Sequence, residues 1–298
     1  LAEHKRETVQ GALEQGQAIP GLDATRVDGA RRKQASKMFS AWSDMKGRQE
    51  GERSRLELLL IGLGFTVKDL IRADRVSGRE IWSLDADPVE DRQVCPLPMY
   101  GSSAGGRYRV ICVWGRPTVD DLLQWVGDAS TLRPALLLFF GRMSEQRWRD
   151  LSRLAKSKRR SLMMLDETLL VYLCCSAGSR LRAWFDTAMP FSYSLPYDAT
   201  AGLVPPEMFY GRGTELDAVR GLNGRCFIYG GRQLGKTALL KRAEQSFHAP
   251  SRGHYARWID LRAEGIGVSV APGEVWLTLY EKLKELGVLD QKLAARAP

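Results

Sequence analysis

The chain has 298 residues, 44% of them hydrophobic, and carries a formal charge of +9 from 44 basic and 35 acidic side chains. That length has room for two domains, and the composition excludes a disordered or low-complexity chain. No apolar run approaches the ~20 residues of a membrane-spanning helix and no signal peptide is visible, so no membrane partner is expected. The five cysteines (Cys95, Cys112, Cys174, Cys175 and Cys226) show no C-x-x-C spacing, and the three histidines are not paired with them. A zinc site or disulfide framework is not expected, and a reducing, cytoplasmic compartment is.

Residues 1–35 are polar and read as a frayed helix, part of a polar helical N-terminal segment over residues 1–50. One helix is predicted from Gln34 to Leu63. Met38, Phe39, Trp42 and Met45 form its first apolar stripe, a second runs from Leu56 to Ile61, and Gly62-Leu63-Gly64 stops it. Val67 to Ile71 fits strand or helix, and Ile81 to Leu84 reads as a short strand. Gly101 to Gly106 is a glycine-rich loop without phosphate-motif spacing.

A regular alternation follows. Tyr108–Trp114 is a strand. Thr118 and Asp121 form a capping box before Leu122, Leu123, Trp125 and Val126. Ala135–Phe140 is a fully apolar strand, and Ser144 opens a helix through Trp148, Leu151 and Leu154. Leu162–Leu165 is a further strand, and a helix begins at Glu167, with Asp166 as its cap. Apolar strands alternating with amphipathic helices predict a parallel sheet covered by helices. Pro190, Pro196, Pro205 and Pro206 mark residues 190–207 as a linker.

Beyond the linker, Thr214 and Asp217 predict another capping box, opening a helix through Leu216 and Val219. Asn223-Gly224 marks a turn, and Arg225 to Tyr229 is a short apolar run suited to a buried strand. Then comes Gly230-Gly231-Arg232-Gln233-Leu234-Gly235-Lys236-Thr237, which matches G-x-x-x-x-G-K-[ST]. Ala238, Leu239, Leu240, Ala243 and Phe247 continue it as one face of a helix. Strand, glycine-rich loop and helix in this order form a phosphate cradle. Backbone amides from Gly230 to Ala238 and the helix N-terminus face the phosphates of ATP. Lys236 meets the β- and γ-phosphates, and Thr237 holds Mg²⁺. Further on, Ala256–Leu261 reads as a strand. Pro272-Gly273 precedes a helix with Val275, Trp276, Leu279, Tyr280, Leu283 and Leu286 on one face, ended by Gly287.

Met208-Phe209-Tyr210-Gly211-Arg212-Gly213-Thr214-Glu215-Leu216 precedes the loop by one helix and one turn. The order F-x-G-R-x-x-E-L, helix, strand, P-loop resembles the STAND and AAA-related ATPases. The resemblance implies that Phe209, Tyr210, Gly211 and Arg212 lie on the adenine and ribose side, and that Glu215 and Leu216 start the helix. Two segments imitate the acidic strand of such ATPases. In Trp258-Ile259-Asp260-Leu261-Arg262 no second acid follows Asp260 and the strand comes too early. Leu162–Glu167 lies before the loop, so Asp166 is read as a helix cap. The catalytic acid is therefore expected beyond Pro298, and the chain is read as the N-terminal fragment of a longer ATPase.

Upstream, Leu59-Leu60-Ile61-Gly62-Leu63-Gly64-Phe65, the strand at Tyr108–Trp114 and Leu165-Asp166-Glu167-Thr168-Leu169-Leu170 resemble a restriction-endonuclease-like core. That resemblance implies an Asp and an E-x-K on adjacent strands, holding a metal. Val110 to Trp114 has neither carboxylate nor lysine, and only Asp85 and Asp87 remain, which implies an eroded site. A Rossmann-like or receiver-like layer domain is the alternative.

The expectation is thus an α/β chain. Residues 1–50 form the N-terminal segment, 51–189 a small α/β domain, 190–207 the linker, and 208–298 the first part of a P-loop NTPase domain. Its expected role is a nucleotide-controlled regulatory or defence switch, with ATP and Mg²⁺ as cofactors. A DNA-associated AAA-type motor or loader, and a nuclease acting through the upstream domain, are the competing readings. Homo-oligomerisation, and nucleic-acid contact through Arg31-Arg32-Lys33 and Lys156, Lys158, Arg159 and Arg160, are further candidates.

Overall fold

The computed structural model describes residues 6–89, 93–127, 133–194, 204–221, 226–232, 234–266, 269 and 271–289. The chain is α/β. It divides into two compact units, Leu1–Tyr197 with Pro205–Met208, and Asp198–Val204 with Phe209–Pro298.

The first unit opens with α1 (Arg6–Gln15), a two-residue pair β1 (Ala18–Ile19) and β2 (Leu22–Asp23), then α2 (Gly29–Arg48) and α3 (Arg53–Leu63). The single helix expected over 34–63 is therefore two. The Asp28 carboxylate caps α2 by accepting from Arg31 N, and α2 ends at Gln49, which is left-handed at φ 52. Long-range contacts hold the break. Gly51 N donates to Glu80 Oε1 at 3.2 Å, and Arg72 donates to Gly51 O at 2.7 Å. Glu80 is buried, accepts from Trp82 Nε1 at 3.1 Å, and has Arg72 and Arg75 each at 3.6 Å. A Cβ at position 51 would sit 2.5 Å from Glu80 Oε2, so only glycine fits this approach.

Five strands follow: β3 (Val67–Val76), β4 (Arg79–Ala86), β5 (Arg107–Val113), β6 (Ala135–Phe139) and β7 (Leu162–Leu165). They lie in that order in one sheet. β3, β4 and β5 pair antiparallel, whereas β5, β6 and β7 pair parallel. The wholly parallel sheet expected from the alternation is corrected to a mixed one. β3 and β4 are joined by a two-residue turn at Ser77-Gly78, too short for a crossover and suited to a hairpin. β5 to β6 and β6 to β7 are joined through α4 (Val119–Val126) and α5 (Glu145–Ser157).

Successive side chains of a strand face opposite ways, and the core divides accordingly. Ile111, Val113, Leu137, Phe139 and Met164 pack against Leu122, Leu123 and Leu151 of α4 and α5. Val110, Cys112, Leu136, Leu138 and Met163 face a larger core with α1, α2, α3, α6 (Glu167–Cys174) and α7 (Arg180–Ala188). Val9, Leu13, Met38, Trp42 and Met45 belong to that core, so residues 6–48 are built into it.

The two sheet edges differ. Along β7, Leu162 N donates to Ser192 Oγ at 3.0 Å and Trp184 Nε1 donates to Met164 O at 2.9 Å, covering the edge with side chains. β3 carries register shifts between Val67 and Asp69 and between Arg72 and Asp74, which together with its charges discourage edge-to-edge pairing.

The second unit contains α8 (Gly213–Arg220), α9 (Lys236–Phe247) and α10 (Val275–Glu285). α8 packs on α9. Three expectations are corrected here. Cys226–Tyr229 and Ala256–Asp260 form no strand, and Phe227 and Tyr229 are over 90% exposed. A strand needs a neighbour for its ladder, and the described residues of this unit supply none beyond an isolated bridge between Ala249 and His254. α8 starts one residue earlier than Thr214, so the box with Asp217 is not made and no side chain caps this end. The apolar face of α10 is partly covered: Val275, Leu279, Tyr280 and Leu286 are half-buried, whereas Trp276 is 73% exposed.

Candidate functional site

The glycine-rich loop ends where α9 begins. Gly235 is left-handed at φ 72, a Cβ there would meet nothing within 4 Å, and Lys236 is the first helical residue. Gly230 has φ 149, a conformation that glycine adopts without strain. The first backbone N–H groups of a helix have no carbonyl a turn earlier to bond. Those of Lys236, Thr237 and Ala238 are in this position, and no side chain among the described residues caps the end. Leu239 N closes a turn on Gly235 O at 2.9 Å. The loop thus presents uncapped donors and the positive end of a helix of twelve residues.

Lys236 folds back over the loop. Its ammonium donates to Gly230 O at 2.8 Å and Gly231 O at 2.6 Å. The side chain spans the loop from its far end and places a cation beside the uncapped amides. Thr237 and Leu234 are exposed, and Ala238 is half-buried. Gln233 lies outside the described residues.

Gly211 is left-handed at φ 74, and Arg212 immediately precedes α8. Tyr210 is 61% exposed. α8 packs on α9, so this segment and the loop are carried by adjacent helices. A cleft of about 450 Å³ in the same unit is lined by Arg220, Leu240, Phe247, Tyr255 and Trp258, and by no described residue from 230 to 237. Asp260 accepts from Arg262 N at 3.1 Å in a turn.

In the first unit, Asp166 caps α6, accepting from Leu169 N at 2.9 Å and Met143 N at 3.0 Å. Burial raises its pKa, and these bonds oppose the rise. Asp85 lies opposite Asp69 on β3 and Arg107 on β5. Asp69 pairs with Arg53 at 3.0 Å, and Asp87 pairs with Lys68, whose pKa it raises through a hydrogen bond and its charge. No cluster of three or more metal-ligating side chains occurs among the described residues.

The two basic clusters separate. Arg31 is half-buried and donates to Ala177 O and to Gly178 O, the latter at 2.7 Å. Lys156 and Arg159 are exposed at the end of α5, and Lys158 pairs with Asp120 at 2.6 Å. No helix among the described residues is long and apolar enough to cross a membrane.

Comparison with models of known protein families, with curated proteins and with solved structures returned no match.

Proposed function

We propose that the second unit binds ATP with Mg²⁺ at the loop from Gly230 to Thr237, and that the chain belongs to a STAND-like, nucleotide-controlled regulatory or defence switch. One observation carries the reading: a G-x-x-x-x-G-K-T loop opens α9 with uncapped amides, and its lysine lies across the loop carbonyls. An anionic phosphate chain suits such an end, because helix dipole, amides and ammonium all favour negative charge there. Lys236 would exchange the two glycine carbonyls for phosphate oxygens, and the Thr237 hydroxyl would hold the cation. Mg²⁺, when bound, neutralises phosphate charge. Phe209 to Arg212 would flank the base and ribose. Binding energy that differs between two arrangements of the protein would set the switch.

The test is nucleotide titration by calorimetry on the native chain and Lys236→Ala. Removing a charge-assisted donor pair costs about 1.5–3 kcal/mol, a drop of roughly tenfold or more in affinity. Circular dichroism should stay unchanged, since Lys236 is on the surface of the loop. Equal ATP affinity in the two proteins would sink the reading.

A further inference from the structure

The carboxyl ends of β6 and β7 open into a cleft that lies wholly within the first unit. Its volume is about 420 Å³, within the range of small-molecule sites. Its floor is apolar, made of Val9, Phe39 and Val171, each 3–4% exposed. Among the described residues, its rim carries Arg6, Lys46 and Arg142 against one carboxylate, that of Glu167. Outside the cleft, Asp44 takes up Arg6 at 2.6 Å. Among the described residues, positive charge remains in excess on the rim even so.

The rim is held in place by the fold. Arg142 sits in a turn after β6 that is bonded twice to the start of α6. Glu167 N donates to Gly141 O at 3.0 Å, and Met143 N donates to Asp166 Oδ2 at 3.0 Å. Lys46 lies in the last turn of α2, which is fixed to the sheet. Trp114 Nε1 donates to Met45 O at 3.0 Å, and the Trp42 ring lies 4.3 Å from that of Phe140. The ammonium of Lys46 and the guanidinium of Arg142 both donate to Glu167, the latter at 3.0 Å. An ammonium has three donors, and Glu167 uses one.

We propose that this cleft binds a small amphipathic organic anion. Its phosphate or carboxylate group sits between Lys46 and Arg142, and its apolar body lies on Val9, Phe39 and Val171. Open α/β sheets bind ligands outside the carboxyl ends of their strands, and the cleft has that position. Glu167 keeps the two cations side by side, and it competes with the ligand for them. The first unit then has a small-molecule input of its own, separate from the phosphate loop.

The test uses phenyl phosphate as the probe and the full chain carrying Lys236→Ala throughout, so that binding at the glycine-rich loop is weakened and, being the same in every variant, does not enter the comparison. Calorimetric titration should give saturable binding in the millimolar range or tighter, and benzyl alcohol should give none. Lys46→Gln and Arg142→Gln should each weaken binding about tenfold, the worth of one charge-assisted hydrogen bond. Glu167→Gln keeps the shape and removes the competing charge, so affinity should rise about fivefold or more. An ion-pair cluster that merely joins α2 to α6 would lose stability in Glu167→Gln without gaining affinity. Thermal unfolding identifies any variant that fails to fold, and the remaining two then decide. No saturable binding up to about 20 mM overturns the proposal. So does unchanged affinity in Arg142→Gln, or weaker binding in Glu167→Gln.

Discussion

Arg180 is 3% exposed, and its guanidinium donates to four acceptors. These are Leu173 O at 3.1 Å, Gln34 Oε1 at 2.7 Å, Gly62 O at 3.1 Å and Arg31 O at 2.9 Å. One side chain of α7 therefore joins α2, α3 and α6. Burial pulls its pKa below that of an ordinary arginine, yet a guanidinium keeps its proton at any workable pH. The planar fork serves acceptors in several directions, which a lysine cannot copy with three donors on one atom. Each buried carbonyl left without a partner costs about 1–3 kcal/mol. Arg180→Lys is therefore expected to lower the unfolding free energy by about 2–4 kcal/mol in urea denaturation. A loss below about 0.5 kcal/mol would show that the surrounding helices hold without the fork.

The starts of α4, α5 and α6 were legible in the sequence because a cap is chemistry over three residues. Thr118 accepts from Asp121 N while Asp121 accepts from Thr118 N, and Ser144 and Asp166 cap α5 and α6 as their spacing predicts. The glycine-rich turn that opens α9 was legible for the same reason, its glycine and the helix start lying within a few residues. What failed was set from afar. The break at Gln49–Glu52 answers to Glu80, and the β3–β4 hairpin hides because the edge strand is largely exposed and shows no alternation. The cleft was invisible, since Lys46 and Glu167 meet across 121 positions. The capping box yields a pH test. The Thr118 side chain, then its backbone N–H, hold the Asp121 carboxyl below its ordinary pKa. A folded-state pKa below the unfolded value gives stability that is present above the unfolded value, about 4, and lost as pH falls through the folded one. The melting-temperature gap between the native chain and Asp121→Asn should therefore narrow from pH ~6 to ~3. A gap constant across that range would contradict the assignment.

At the scale of the molecule, the first unit holds two well-filled cores, and the described part of the second has no sheet. The first unit should therefore fold without the second, provided that it is cut in the right place. The proline-rich stretch invites a cut before residue 198, and the structure argues against one there. The turn Pro206–Met208 belongs to the first unit, and Glu207 is fully buried in it. The Glu207 carboxylate accepts from Ser102 N at 2.6 Å and from Ser102 Oγ at 2.7 Å. A fragment ending at residue 197 strands both donors, whereas one ending at 208 keeps them paired. Hydrogen bonds to a charged group contribute about 1.5–3 kcal/mol each, less whatever water recovers once the site is opened. For a fragment of this size 1 kcal/mol moves the melting temperature by about 2–4 °C, so the shorter fragment should melt roughly 5–10 °C below the longer. Glu207→Ala in the longer fragment should reproduce most of that drop. Calorimetry on the three proteins decides the matter: equal melting temperatures would mean that the turn is a passenger, and a longer fragment without a cooperative transition would mean that the first unit depends on the second.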